Sequence, residues 1–201
     1  MTPKFASYQA DDVRRLIAEY PLGWMLVPGA PAASAALLPM LGEYDAAGQL
    51  QTLIGHMSRR RVLHALLEAS PIAHFLFTGP QGYVSPEHAG RRNWGPTWNY
   101  AAVRIEAEVR FDEALTASAV QRLIEACEAG RTQPWKADEL QDRYPAMLDA
   151  IIGFEARVTA IDATFKLAQD EDDEVLAHLL EHHPDAALRD WMRALNRDRL
   201  D

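Results

Sequence analysis

The chain has 201 residues, a formal net charge of −9 and 48% hydrophobic residues. That is enough apolar material for the core of one domain, or of one domain with a helical appendage. The negative balance opposes direct DNA binding and attraction to acidic membranes, because phosphate contacts need clustered Lys and Arg. The single cysteine, Cys127, excludes an internal disulfide and fits a reducing compartment. It lies in a helix-like run with no thiolate-stabilising neighbour in sequence, and it reads as inert. Residues 1–10 lack an apolar stretch, and no run reaches the ~18 apolar residues of a membrane span. Neither a secretory leader nor a membrane partner is expected, and the expected location is cytoplasmic.

Residues 11–20 read as a helix, opened by Asp11 and Asp12, with Val13, Leu16 and Ile17 on one face and Pro21 as the stop. Leu22–Val27 and Ala33–Leu38 are strand candidates, and Gly42–Gly48 has turn chemistry. Gln49–Gly55 alternates as a half-buried strand. Ser58 is placed to cap a helix over Arg59–Leu67. Such a helix start, flanked by His56, Arg59, Arg60 and Arg61, would seat a phosphate, or its arginines would simply be solvated. Pro71–Thr78 is an apolar strand, in which His74 reads as a core or edge residue rather than a ligand.

Gly79–Tyr100 (GPQGYVSPEHAGRRNWGPTWNY) is too rich in Gly and Pro for a regular helix and too aromatic for a solvated linker. It reads as two strand ends, Tyr83–Ser85 and Trp98–Tyr100, joined by a connection that crosses a surface. That connection is either a binding loop or a surface loop pinned by its own aromatics. Ala101–Phe111 continues as a strand with Val103, Ile105, Ala107 and Val109 on one side and charged residues on the other.

Thr116–Glu128 reads as a helix starting at Thr116 or Ser118, with Val120, Leu123, Ile124 and Cys127 inward. A short helix over Asp138–Leu148 follows. Ile151–Ile161 and Thr164–Ala168 read as two strands separated by a turn near Asp162. The acid run Gln169–Glu174 opens a helix over Val175–Glu181, and Asp185–Asn196 is a second. Seven to eight strands without a βαβ rhythm point to an antiparallel barrel with peripheral helices. Metal, P-loop, dinucleotide-fold and nucleophile-elbow motifs are missing. The residues support a barrel with a loop-lined, locally basic, aromatic pocket, suited to a flat ligand carrying phosphate.

Four landmarks occur in order: PLG at Pro21–Gly23; GHMSR at Gly55–Arg59; GPQGYVSP at Gly79–Pro86 with PTWNY at Pro96–Tyr100; and Pro134–Trp135 followed by IIGFE at Ile151–Glu155 and KLAQ at Lys166–Gln169. In these the chain resembles the PaiB family of FMN-binding negative transcriptional regulators. The resemblance implies a mainly β fold with peripheral helices, an antiparallel split β-barrel of the FMN-binding type with a C-terminal helical extension. It implies a split-barrel domain over residues 1–170 and an extension over 171–201 packed on the barrel or on a partner subunit. It further implies a regulatory homodimer with FMN at its interface. His56, Ser58 and Arg59 are then expected at the phosphate, Thr97, Trp98 and Asn99 along the flavin, and Lys166 and Gln169 closing the pocket. Trp98 as a core aromatic and Lys166 as a solvated strand residue are the alternatives. No residue stands out as a catalytic acid or base, so any reaction would be that of a flavin-dependent oxidoreductase.

The chain also departs from the family pattern. A family histidine before Leu-Pro becomes Leu38 or a neighbour, and Asn-Pro after the GHxAR block becomes Arg60–Val62. An aromatic after YVSP gives way to Glu87–Gly90, and the basic residue after KLSQN gives way to acid at Asp170–Glu171. These changes motivate a second reading, a regulatory or scaffold dimer that has lost its flavin.

Overall fold

The computed structural model describes residues 5–200. Among them, six strands close into one antiparallel barrel in the order β1-β2-β3-β6-β5-β4. Around them lie six α-helices and three short 3-10 turns. The expected fold class is therefore observed, with two fewer strands than the upper expectation.

Helix α1 (Ala10–Glu19) buries Val13, Leu16 and Ile17 as its spacing requires. Strand β1 (Leu22–Leu26) follows Pro21. Strand β2 (Ala36–Tyr44) begins later than expected, because residues 32–34 wind into a 3-10 turn closed by Ser34 Oγ donating to the Pro31 carbonyl at 2.7 Å. It also ends later. The turn into β3 (Leu50–Ser58) is compressed around Asp45, whose Oδ1 accepts from the backbone N–H groups of Ala47 and Gln49, both at 2.9 Å. Asp at a turn start commonly substitutes its side chain for backbone in this way.

Strand β4 (Ile72–Val84) runs through Gly79-Pro80 instead of turning there. Proline is tolerated because the pairing of β4 with β1 covers only His74, Phe75 and Leu76, and past it a missing N–H breaks no bond to β1. Strand β5 (Thr97–Phe111) begins at the expected block and keeps Val103, Ile105, Ala107 and Val109 buried. Strand β6 (Ile151–Lys166) is one strand of 16 residues, where two were expected. Its burial changes phase: Ile152, Phe154 and Ala156 are buried in its first half, Ala163 and Phe165 in its second. A period-2 pattern that slips by one residue reads as two strands.

Helix α2 spans Val62–Ala69. Helix α3 (Glu113–Glu128) starts ahead of the expected Thr116 or Ser118, because Asp112 is the cap, its Oδ1 accepting from the Ala114 N–H at 2.9 Å. Thr116 has another role. Its buried Oγ1 accepts from the Gly153 N–H at 3.0 Å, tying α3 to β6. Leu123 is buried as expected, but Cys127 is exposed rather than inward. Helix α4 (Arg143–Asp149) holds Pro145 within its first turn, where a missing N–H is harmless. Helices α5 (Asp173–His182) and α6 (Ala186–Leu195) are capped by Asp172 and Asp185. No helix of the described residues is long and apolar enough to cross a membrane.

The chain divides into two compact units. One comprises residues 10–77 and 104–161: β1 to β3, the first half of β4, most of β5 and β6, and α1 to α4. Its core is Met25, Met40, Leu53, Met57, Phe75, Phe77 and Phe154. The other comprises residues 5–9, 78–103 and 162–200: the remaining ends of β4, β5 and β6, the connection between β4 and β5, and the α5–α6 pair. Its core centres on Trp191, stacked on Phe165 with centroids 5.9 Å apart, together with Leu167, Val175, Leu176, Leu179 and Leu188.

Gly153 lies directly under α3, where an added Cβ would sit 2.8 Å from the backbone of Thr116. Backbone cannot yield as a side-chain tip can. Gly153→Ala is expected to destabilise the fold by about 3 kcal/mol, the upper end for overpacking, read from chemical denaturation. A midpoint equal to that of the unsubstituted chain would show that α3 is not locked by this contact.

Candidate functional site

The eight expected site residues divide between the units, three in the larger and five in the smaller. In the larger unit, His56 and Ser58 alternate on β3, with Met57 buried between them. The pairing of β3 with β6 extends to Ser58 opposite Ile151. That ladder holds Ser58 extended, so the expected Ser58-capped helix does not form; α2 starts only at Val62, with Arg61 at its cap position and no side-chain cap. Ser58 Oγ instead accepts from the Arg60 N–H at 3.3 Å.

Arg59 is already engaged. Its two terminal nitrogens donate to the two carboxylate oxygens of Glu113, each at 2.5 Å, and its Nε donates to the Asp149 carbonyl at 3.1 Å. This fork-to-fork pairing holds the Glu113 carboxyl below its ordinary pKa, chiefly through the hydrogen bond itself. Arg60 and Arg61, by contrast, are exposed, and among the described residues their guanidinium groups make no hydrogen bond or ion pair. The cations available to an outside anion at this end of β3 are therefore the two that the sequence reading did not select. The repeat of three arginines was the signal, and only the position of Glu113 decides among them.

His56 lies against a small apolar cavity of about 180 Å³ that it shares with Val120, Leu123, Ile124, Cys127, Glu128 and Trp135. Its Nδ1 is buried without a hydrogen-bond partner. Burial pushes its pKa down, so it is neutral at pH 7 and brings no positive charge to a phosphate.

In the smaller unit, the start of β5 alternates. Trp98 is 55% exposed and meets the Tyr83 ring edge-on at 6.1 Å, so it is not a core aromatic. Asn99 points inward, buried, with its amide donating to Met192 Sδ at 3.2 Å. Thr97 is half-buried, and its Oγ1 accepts from Lys166 Nζ. Lys166 Nζ also lies 5.9 Å from the centre of the Phe5 ring. The structure thus joins Thr97 and Lys166, from strands 69 residues apart, into one donor group.

Gln169 supports this pair from behind. Its carbonyl oxygen accepts from the Leu167 N–H at 2.7 Å, and its amide donates to the Phe165 carbonyl at 2.6 Å. Between them Ala168 adopts φ +68°, a left-handed conformation that costs a side-chain-bearing residue about 1 kcal/mol or more. Asn196 completes the corner, its buried amide donating to the Leu167 carbonyl at 2.9 Å. Gln169 therefore fixes the backbone that follows Lys166, and both ends of its amide are spent there.

The connection between β4 and β5 is pinned by the acid run. Arg91 donates to Asp172 and to Glu174, each at 2.5 Å, and Trp94 Nε1 donates to Glu171 at 2.9 Å. Arg91 is thus not an open anion contact. Among the described residues, no group of three or more His, Cys, Asp or Glu is placed to hold a metal ion.

The barrel thus carries an arginine-rich end of β3 in the larger unit and a paired lysine and threonine in the smaller. In comparison with known families, residues 1–160 match the family described as "Putative FMN-binding domain". The chain belongs to that family, and FMN is the cofactor the family assignment gives it. It is 28% identical over 131 residues to the protease synthase and sporulation protein PAI 2 of Bacillus subtilis (strain 168), the match covering 64% of this chain and 63% of that protein. The chain thus spans less than two thirds of the length of that relative. Among solved structures it is similar to an FAD and heme binding protein from Mycobacterium smegmatis, with a TM-score of 0.60, 16% identity, and coverage of 85% of this chain and 78% of that one. It is also similar to a flavocytochrome from Azotobacter vinelandii, with a TM-score of 0.56, 17% identity, and coverage of 90% and 76%. At these identities the likenesses speak to the fold.

Two outcomes follow from the geometry. Gln169→Ala leaves two backbone groups unpaired beside a strained residue and is expected to cost about 1–3 kcal/mol, read from thermal or chemical unfolding; an unchanged midpoint would mean that the corner holds without it. His56 is expected to titrate below the ordinary 6.5 in an NMR pH series. As pH falls below that value the unfolded chain takes up the proton first, so this residue weakens the fold in acid. A value at or above 6.5 would contradict its burial.

Proposed function

We propose that this chain is an FMN-binding split-barrel protein of the PaiB type, regulatory, cytoplasmic, and binding its flavin at a homodimer interface. The observation that carries this reading is the family match over residues 1–160. Each unit, taken by itself, carries donors whose chemistry suits one part of this ligand. FMN combines a phosphate with a planar ring edged by carbonyl oxygens and ring nitrogens. Ser58, Arg60 and Arg61 offer a hydroxyl and two uncommitted cations suited to the phosphate, with Arg59 and His56 beside them on the same segment. The Lys166–Thr97 pair, braced by Gln169, offers donors suited to the polar edge of the ring, and exposed Trp98 offers an aromatic face. Asn99 serves this group by packing, from the buried side of β5. When bound, FMN supplies the redox chemistry of its ring.

The dimer is supported by a row of outward apolar side chains in the larger unit. Trp24 on β1 stands between its register partners Leu37 on β2 and Leu76 on β4, and these are 48%, 40% and 38% exposed. Leu22 adds to the row. A second copy laid on this face would remove them from water. Two adjacent aliphatic residues and a tryptophan are poor contacts for DNA, and the −9 charge opposes it further.

One observation favours a flavin-free regulatory dimer instead: the Arg59–Glu113 clasp consumes the arginine of the GHMSR block. The two readings separate in a titration of purified protein with FMN. Flavin fluorescence is expected to change saturably, and the yellow chromophore to stay with the protein on desalting. Replacing Arg60 and Arg61 together by Ala is expected to weaken binding about tenfold or more, given roughly 1.5–3 kcal/mol per charge-assisted hydrogen bond. A colourless protein that does not perturb FMN would leave the flavin-free reading.

A further inference from the structure

Four of the seven histidines gather in the smaller unit, in two contacting pairs. His88 and His183 meet edge to face at 4.9 Å, and His178 and His182 at 5.0 Å. Glu87, His88, His178, His182 and Pro184 line one surface cavity of about 510 Å³. His88 lies on the connection between β4 and β5, and the other three lie on α5 or just after it.

The hydrogen bonds fix the protonation state of the first pair. His183 is buried; its Nδ1 accepts from the Asp185 N–H at 3.2 Å, and its Nε2 faces the Tyr83 carbonyl at 3.1 Å. A backbone N–H can only donate and a carbonyl can only accept, so Nδ1 carries a lone pair and Nε2 the proton. His88 Nδ1 likewise accepts, from the Ser85 N–H at 3.3 Å. Both rings must be neutral for these contacts to exist. His178 packs against the same connection. Its Nδ1 is buried without a partner, and its ring presses on Gly90, where an added Cβ would come within 2.8 Å. Gly90 has φ +67°, so the connection reaches this ring through a position that favours glycine.

We infer that this cluster is an acid-sensitive latch: protonation of His88 and His183 releases the connection over residues 85–90 from the turn between α5 and α6. A proton on either Nδ1 turns that acceptor into a donor facing a backbone N–H, and two charged imidazoles would face each other at 4.9 Å. The surrounding charges do not cancel this. Glu87 faces His88 from its own segment and partly favours the charged ring, while burial and His183 oppose it more strongly. Arg189 donates to the His183 carbonyl and adds positive charge on that side. Glu181 lies by His182 at 3.7 Å. Asp185 donates only its backbone to His183, its carboxylate being spent on the Leu188 N–H. The Arg91 pairs with Asp172 and Glu174 are carboxylate–guanidinium contacts that survive mild acid, so the release is confined to the 85–90 side. The sign follows from the neutral requirement. The latch is fully closed above the ordinary histidine range, and it opens as pH falls below that range, because the open state binds more protons. The device does not depend on whether flavin binds.

The test is hydrogen exchange of the full-length protein, read by mass spectrometry on peptides covering residues 85–96 and, as an internal reference, 103–109. Samples are labelled at about pH 7.5 and about pH 5 and corrected for intrinsic exchange, bracketing the histidine range. Exchange over 85–90 is expected to rise several-fold in acid while the β5 reference stays protected. The double variant His88→Asn, His183→Asn keeps a non-titrating acceptor near each Nδ1 position and is expected to abolish the rise. No rise in the unsubstituted protein, or a rise that persists in the folded double variant, overturns the latch. Should the double variant lose protection in the reference peptide at neutral pH, an NMR titration of the unsubstituted protein decides. His88 and His183 charging in step with loss of protection over 85–90 supports the latch, and their charging without that loss overturns it.

Discussion

The contact on which most of this structure turns is the antiparallel pairing of β3 with the first half of β6. It runs from Thr52 opposite Arg157 to Ser58 opposite Ile151. It carries the buried Gly55–Phe154 contact, in which an added Cβ would lie 2.7 Å from the ring, so strand and ring approach as closely as a glycine permits. It sets Gly153 under α3, and so sets where α3 begins. It also decides the chemistry at the strand end. By holding Ser58 in the ladder it delays the next helix to Val62, and it brings the Ala150 carbonyl within 3.2 Å of the Arg59 N–H. The same strand then changes its buried phase and ends at Lys166. One strand thus supplies pairing for the arginine-bearing segment and, at its far end, the lysine of the second donor group.

The sequence made some of this legible and hid the rest for definite reasons. Hydrophobic alternation located β5, and apolar runs located β1 and β4, because each keeps a single buried phase along most of its length; alternation also located β3, although Leu50 and Ile54 on one parity and Leu53 and Met57 on the other are all buried. It failed on β6, where the phase reverses, and on the extent of β4, where Gly-Pro looks like a turn unless the edge it occupies is known. Helix starts were misplaced wherever two cap candidates competed. Asp112 took the cap from Thr116, which bonds a strand instead, and the sheet took Ser58. Local propensity cannot arbitrate such contests, since the winner is chosen by a partner about 40 to 90 residues away in the chain.

The same logic governs the candidate site. Residue type singled out two neighbourhoods, an arginine cluster after β3 and a lysine-containing block at the end of β6. It could not tell an engaged cation from a free one. Arg59 looks like the natural phosphate ligand by its place in GHMSR, yet Glu113, more than 50 residues on, already holds both its terminal nitrogens. Binding an anion through Arg59 would mean sharing or breaking that fork, whereas Arg60 and Arg61 need only be desolvated. Asn99 and Gln169 show the complementary case. Both are polar and both lie in the expected blocks, but one is buried against Met192 and the other is folded back on the backbone. Their part is to hold Thr97 and Lys166 in place, a role that leaves no mark on residue type.

The acidic departure after Lys166 takes on a different meaning in this light. A basic residue replaced by acid next to a phosphate would weaken binding, which is why the run Asp170–Glu174 raises the idea of a lost cofactor. In the folded chain four of these five carboxylates make contacts of their own at the surface. Glu171 receives the Trp94 indole, Asp172 caps α5 and holds Arg91, Glu174 holds Arg91 as well, and Asp173 pairs with Arg199 at 2.7 Å. Two arginines offset part of this charge, Arg91 between Asp172 and Glu174 and Arg199 at Asp173, while Glu171 faces a neutral indole, so the run keeps a net negative charge. These carboxylates also immobilise the connection carrying His88 and Gly90, so that its remaining freedom lies on the histidine side. Acid placed here therefore fixes one end of a segment whose other end meets the histidine cluster.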